Sequence, residues 1–345
     1  MSTVRVSSGL SFAWLWFTAC QPDPPFLPLD RIGEQANPPQ LGPAWKEDVI
    51  TRVGEPKVDV LWVIDDSLSM EEEQTALVEN FDAFISFFVG SGLDWHVGVV
   101  STDTTSDGAG RLVTSGGDRF LTPDTPDPGR LFTDLARVGT GGSGDERGFE
   151  AAFLALTPPR VDGYNAGFYR EDADLVVIAI SDEDDHSLTP TMPEFETFMR
   201  SLKGPNREAT FSAIVGPRGG CATAEEGSRY LAMADALGGF TASICAEDWA
   251  PILSSLGLEA SGLTTEYFLS GLPVPDTIEV WVDDAGFVFE GERIAAPGEL
   301  VPCDDTTCFG FTYDPIRNSV LLDDYVPGAL AKVHVRYELL GSDGT

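Results

Sequence analysis

The chain is poor in cationic side chains: 21 Lys and Arg stand against 56 Asp and Glu, a formal net charge of −35. Affinity for nucleic acid comes largely from neutralising phosphates with Lys and Arg, so no nucleic-acid partner is expected. Docking on anionic lipid headgroups is disfavoured for the same reason. Histidine is scarce too. His96, His186 and His334 are the only three and are scattered, which leaves little material for a zinc centre or a histidine-based triad. There is no G-x-S-x-G elbow, and no Gly-Lys-Ser or Gly-Lys-Thr follows the glycine-rich loop near residue 140. The apolar run near the start is too short to span a bilayer comfortably.

What the chain does have is oxygen donors in a particular place. Residues 58–70 read VDVLWVIDDSLSM. The first half is an apolar run rich in Val and Ile, broken only by Asp59, and predicts a strand covered on both faces. The second half stops in Asp65, Ser67 and Ser69. Carboxylate and hydroxyl oxygens at alternate positions past a buried strand can converge on one point, and such hard ligands suit Mg²⁺ or Ca²⁺ better than zinc. Open α/β sheets keep their ligands at this end of their strands. The alternative is local: the same residues could simply cap a helix beginning near Glu71.

Downstream, residues 71–89 place Leu77, Phe81, Phe84, Ile85 and Phe88 at helical spacing, with acidic residues at the start where the helix dipole favours them. A strand, WHVGVVS, ends at Ser101. Residues 111–122 read as a short hairpin and 128–138 as a short helix. A glycine-rich loop in VGTGGSGDERGFEAAFLAL then opens a helix running through Phe149, Phe153 and Leu156. A second buried strand, DLVVIAI, ends in SDEDDHS. Helix and strand alternate again through PEFETFMRSL, ATFSAIVG, SRYLAMADALGG, FTASIC and DWAPILSSLG. This order predicts an α/β fold, a doubly wound and mainly parallel sheet with helices on both faces. From Thr264 the segments TIEVWVDD, GFVFEG, SVLLDD and AKVHVRYEL are short, alternating and β-branched, which predicts a small antiparallel β domain over 264–341.

The D-x-S-x-S spacing, with Met70 and an acidic helix start behind it, resembles the metal-ion-dependent adhesion site of von Willebrand factor type A domains, here over residues 57–263. The resemblance implies a first loop of Asp65, Ser67 and Ser69. It implies a second in the glycine-rich segment, where counting back from Gly148 gives Ser143, with Thr140 as the fallback. The third is at Asp182. Together these would hold Mg²⁺ or Ca²⁺, with Mn²⁺ a third candidate, and a carboxylate on a protein or polymer partner would complete the coordination. Leu68 and Glu183 stand where the family often has Gly. Asp184 and Asp185 read as a solvated acidic run, the alternative being a more anionic site. The expected role is non-enzymatic, in adhesion or envelope assembly. A scaffold with closed or empty metal loops is a second reading. An aspartate-based phosphotransferase of the haloacid dehalogenase type is a third, suggested by Asp65 and Asp66 at a strand end. It lacks the second Asp at position 67, and its lysine would have to be Lys203.

Residues 1–20 carry Arg5, the apolar run LSFAWLWFTAC and small Thr18 and Ala19 before Cys20. They resemble a bacterial lipoprotein signal with its lipobox, which implies cleavage, lipidation of Cys20 and a membrane anchor. Gln21 rather than Asp after Cys20 implies the outer membrane of a Gram-negative envelope. Residues 21–56, with QPDPPFLPLD and ANPPQLGP, read as a proline-stiffened tether, about 3.1 Å per residue where extended. An exported location allows disulfides. Cys303 and Cys308 enclose CDDTTC and are the more obvious pair, leaving Cys221 and Cys245 to join. Sequence alone keeps all three connectivities of these four open.

Overall fold

Strand β2 (Lys57–Ile64) sits at the middle of the molecule because its side chains serve two cores at once. Val60, Trp62 and Ile64 point to one, Leu61 and Val63 to the other, and all five are buried. Complete burial of a large aliphatic side chain contributes about 1.5–3 kcal/mol. The computed structural model describes residues 44–51, 56–283, 300–301, 310–322 and 326–341. The leader with Cys20, residues 21–43, the GFVFEG segment, and Cys303 and Cys308 lie outside the described residues.

The main sheet joins β2 to β3 (Asp94–Ser101), β4 (Phe120–Leu121), β5 (Asp174–Ser181), β6 (Ala209–Val215) and β7 (Thr241–Ser243), in the order β4-β3-β2-β5-β6-β7. All pairings are parallel except that of the short edge strand β4 with β3. Helices α1 (Glu71–Ile85), α2 (Pro128–Ala136) and α6 (Ala250–Ser261) cover the Trp62 face. There Phe84 and Phe132 meet the indole edge-on, with ring centroids 5.0 and 5.6 Å away. Helices α3 (Gly148–Ala155), α4 (Met192–Ser201) and α5 (Ser228–Leu237) cover the other face. This is the doubly wound α/β arrangement predicted from sequence. After β2 the chain moves out to β3, and it later returns on the other side of β2 to build β5, β6 and β7. The reversal puts a crevice at the carboxyl ends of β2 and β5.

Three local expectations change. Helix α1 stops at Ile85, short of Val89, and residues 86–92 form turns in which Val89 is half exposed. The expected hairpin at 111–122 keeps only a tight turn, bridging Ser115 and Asp118, and its last residues pair with β3. The third change concerns the tether. Trp45–Thr51 is a strand, β1, pairing antiparallel with β12 (Lys332–Glu338) along its whole length. It is an edge strand with alternate residues exposed and charged residues on both faces, so its sequence carries no apolar alternation to announce it.

Strand β1 therefore belongs with the C-terminal strands. One antiparallel sheet has the order β1-β12-β9, with β9 at Glu279–Asp283. A second has the order β10-β11-β8, from Phe311–Asp314, Ser319–Leu322 and Glu266–Phe268. They share a separate core that includes Val280, Val320, Val335 and Tyr337. Both ends of the described chain meet in this unit, and the α/β part is threaded between them.

Candidate metal centre

Asp65 is fully buried at the carboxyl end of β2. Its backbone N–H donates to the Ile180 carbonyl at 3.0 Å, extending the β2–β5 ladder by one step. One carboxylate oxygen accepts the Ser67 N–H at 2.7 Å and the other the Ser181 hydroxyl at 2.6 Å. The chain then turns through a short 3-10 segment, Leu68–Met70, that sets the Ser67 and Ser69 hydroxyls 3.2 Å apart. Capping does not account for these residues: the residue preceding α1 is Met70, and it makes no side-chain cap bond.

Asp182 follows β5 and is also buried. Burial pushes its pKa up and repulsion from Asp65 adds to the rise, while the neighbouring Ser69 hydroxyl works against it. Asp65, Ser67, Ser69 and Asp182 are thus brought together at the crevice. Flanking Asp184 and Asp185 are not the solvated run that the sequence suggested. Asp184 accepts the Ser228 hydroxyl at 2.6 Å and the Arg229 N–H at 2.9 Å, at the start of α5. Asp185 is buried, accepts the Phe149 N–H at 3.1 Å in the first turn of α3, and pairs with Arg229 at 3.1 Å. Orphan helix N–H groups and the positive end of the helix dipole explain why both acids turn inward. They bolt the Asp182 loop to two helices.

The glycine-rich loop packs directly on the Asp65 turn. The Gln74 side-chain amide donates to the Asp65 and Gly139 carbonyls, at 2.9 and 2.8 Å, and the Gly142 N–H donates to the Asp66 carbonyl at 2.9 Å. A Cβ on Gly142 would lie 2.2 Å from the Asp66 carboxylate, so only glycine permits this approach. Ser143 and Thr140 are half-buried in the loop. The Ser143 oxygen accepts the Asp145 N–H at 3.1 Å, a local turn. Among the described residues no hydrogen bond joins Ser143 or Thr140 to Asp65, Ser67, Ser69 or Asp182.

The side chain this loop sends inward is Glu146, which has no solvent exposure. One of its carboxylate oxygens accepts the Thr102 hydroxyl in a short hydrogen bond; the other is buried without a partner. Burial, with the Asp65 and Asp66 charges adding to it, holds its pKa far above the usual carboxylate range. Sequence reasoning missed Glu146 because Asp145 and Arg147 flank it, and such a charged run ordinarily reads as solvated loop.

Burial also raises the pKa of Asp66, Glu73, Asp182 and Glu183, and repulsion from Asp65 adds to the rise in each. Among the described residues, His186 offsets part of the rise at Glu183. Three carboxylate oxygens here, on Glu73, Glu146 and Asp182, are buried without a hydrogen-bond partner. Buried carboxylate oxygens without donors are costly unless a proton or cation satisfies them, and an all-oxygen set of carboxylates and hydroxyls fits a hard divalent cation. Among the described residues no three His, Cys, Asp or Glu side chains already form a cage.

A disulfide, Cys221–Cys245, ties the segment after β6 to the segment after β7. Lys203, the lysine a phosphotransferase would need, donates to the Arg170 carbonyl at 2.6 Å. It lies at the Asp59 end of the sheet, and Asp59 and Asp65 are separated by about 20 Å of strand. The phosphotransferase arrangement is therefore not assembled.

No family model and no curated protein matches the chain. Among solved structures, it is similar to the pilus adhesin SpaC from Lactobacillus rhamnosus GG. That match has 9% identity and a TM-score of 0.42, and covers 86% of this chain and 42% of that one. It is also similar to proximal thread matrix protein 1 from the mussel byssus, solved with a zinc-occupied MIDAS motif. There the identity is 14% and the TM-score 0.38, with 62% of this chain and 48% of that one covered. The chain spans less than half the length of either.

Proposed function

We propose that this chain is an exported binding protein with a type A domain, whose crevice holds a divalent cation, Mg²⁺, Ca²⁺ or Mn²⁺, between Asp65, Ser67, Ser69 and Asp182. The glycine-rich loop with Ser143 and Thr140 forms the adjoining wall. The observation that carries this reading is the set of three buried carboxylate oxygens without donors, gathered at the topological switch point. A cation there supplies positive charge to a carboxylate on a protein or polymer partner. The chain's own part is to fix the oxygen donors. Anchorage through a lipidated Cys20 at a Gram-negative outer membrane, and a role in adhesion or envelope assembly, extend the proposal on the resemblance of residues 1–20 to a lipoprotein signal.

The test is thermal unfolding of the chain after chelation, then with each cation added back, in wild type and Asp65→Ala. A ligand at a hundred times its dissociation constant stabilises by about 2.7 kcal/mol, so wild type should shift upward and the mutant should not. The scaffold reading is favoured by one observation: both Asp65 carboxylate oxygens already accept hydrogen bonds from the chain. Absence of any cation response in wild type would select it.

A further inference from the structure

We infer that Glu146 is a ligand of the same cation, contributed by the glycine-rich loop in the place where the family resemblance assigned the Ser143 hydroxyl. This rests on the cation reading above and makes it more specific. Three observations support it. Glu146 has no solvent exposure, yet one of its carboxylate oxygens has no hydrogen-bond donor, an arrangement that is rare for a buried carboxylate. The Thr102 hydroxyl that it accepts also lies 3.5 Å from an oxygen of Asp66, the residue next to Asp65, which places the Glu146 carboxyl against the Asp65 turn. It is also held in place from two sides, since Thr102 donates to its other oxygen and the His186 N–H donates to its backbone carbonyl at 2.6 Å. Thr102 is itself anchored, its N–H donating to the Ile64 carbonyl at 3.1 Å. A side chain fixed this firmly with one free oxygen is pre-set to bind a cation. The Ser143 hydroxyl, by contrast, is half-buried and turned to its own loop.

The consequence is selectivity. With Glu146 the chain offers three carboxylates, Asp65, Glu146 and Asp182, beside the Ser67 and Ser69 hydroxyls. Mg²⁺ sites ordinarily use one or two carboxylates and keep several waters, whereas Ca²⁺ accepts six to eight oxygens and gains affinity with the number of charged ligands. The site is therefore assigned to Ca²⁺ over Mg²⁺.

The experiment is calorimetric titration of the chelated full chain with CaCl₂ and with MgCl₂, in wild type, Glu146→Gln, Ser143→Ala and Asp65→Ala. Glu146→Gln keeps the size and can still accept from Thr102. It should weaken Ca²⁺ about ten-fold or more and narrow the Ca²⁺ over Mg²⁺ preference, while Ser143→Ala stays within about two-fold of wild type. Its melting temperature in chelator should equal or exceed that of wild type, because the substitution removes a buried acid whose ionisation burial opposes. Ca²⁺ affinity in Glu146→Gln equal to wild type, with Asp65→Ala inactive, would overturn the Glu146 assignment and leave the cation reading standing; Glu146 would then be a buried neutral acid. No binding of either metal by wild type would overturn both. Should the Gln variant not accumulate, Glu146→Asp decides, because it keeps the charge and withdraws it by one methylene. Weakened Ca²⁺ binding supports the assignment, and wild-type affinity refutes it.

Discussion

Glu225 donates its backbone N–H to the carbonyl of Asp182 at 2.8 Å, four residues beyond Cys221 of the Cys221–Cys245 disulfide. The disulfide thus braces the wall behind a proposed ligand. Cross-linking residues 24 apart restricts the unfolded chain by about 3 kcal/mol. The double variant Cys221→Ser, Cys245→Ser should lose roughly that much stability in urea unfolding, and it should also bind Ca²⁺ more weakly because the Asp182 loop loses its brace. Full stability with unchanged Ca²⁺ affinity would separate the disulfide from the site.

Gly142 faces the Asp66 carboxylate so closely that the Cβ of Gly142→Ala would have to displace it. Overpacking of this kind costs about 1–3 kcal/mol. The displaced loop carries Glu146, so the substitution should lower Ca²⁺ affinity along with stability, although it removes no oxygen donor. Gly144→Ala, where a Cβ meets nothing within 4 Å, is the matched control and should change neither property.

At the other end of β2, Asp59 is buried and accepts the Arg170 backbone N–H at 2.7 Å and its guanidinium at 2.8 Å. Arg170 in turn pairs with Asp94 at 2.6 Å. Removing one partner of such a pair leaves an uncompensated buried charge, so Arg170→Met should cost about 3–5 kcal/mol, and adding Asp59→Val should recover much of the loss. Metal affinity should be unchanged in the double variant, because the pair lies about 20 Å from Asp65 along the strand.

These cases mark where sequence was informative. Buried runs such as VDVLWVI and DLVVIAI carry their own signal, so β2, β5 and the position of Asp65, Ser67, Ser69 and Asp182 just past their ends were legible. Strand β1 was not, because its partner β12 lies almost 290 residues away and half of its side chains face solvent. The inward turn of Asp184 and Asp185 depends on the N-termini of α3 and α5, one of them formed later in the chain. Glu146 depends on Thr102 in the same way. In the last two cases an acidic side chain is drawn inside by groups distant in sequence, and local pattern holds no trace of them.

The crowded carboxylates also fix the pH dependence of the cation-free protein. Asp66, Glu73, Glu146, Asp182 and Glu183 all have folded-state pKa values above their ordinary ones. Within each raised interval the folded chain binds more protons than the unfolded chain, so stability falls as pH rises. The decline begins near the ordinary values, 3.8 for Asp and 4.5 for Glu. Asp59, raised to about 6, contributes in the same direction but only up to that pH. Glu146 has the strongly raised value, so a decline that continues from about pH 6 to 8 in chelator belongs to the site. Bound Ca²⁺ replaces the protons and should flatten the curve above about pH 6, as should Glu146→Gln in chelator. Melting temperatures across this range, with chelator and with Ca²⁺, test the point directly. A cation-free protein equally stable at both ends would mean that its carboxylates are better solvated than their burial implies.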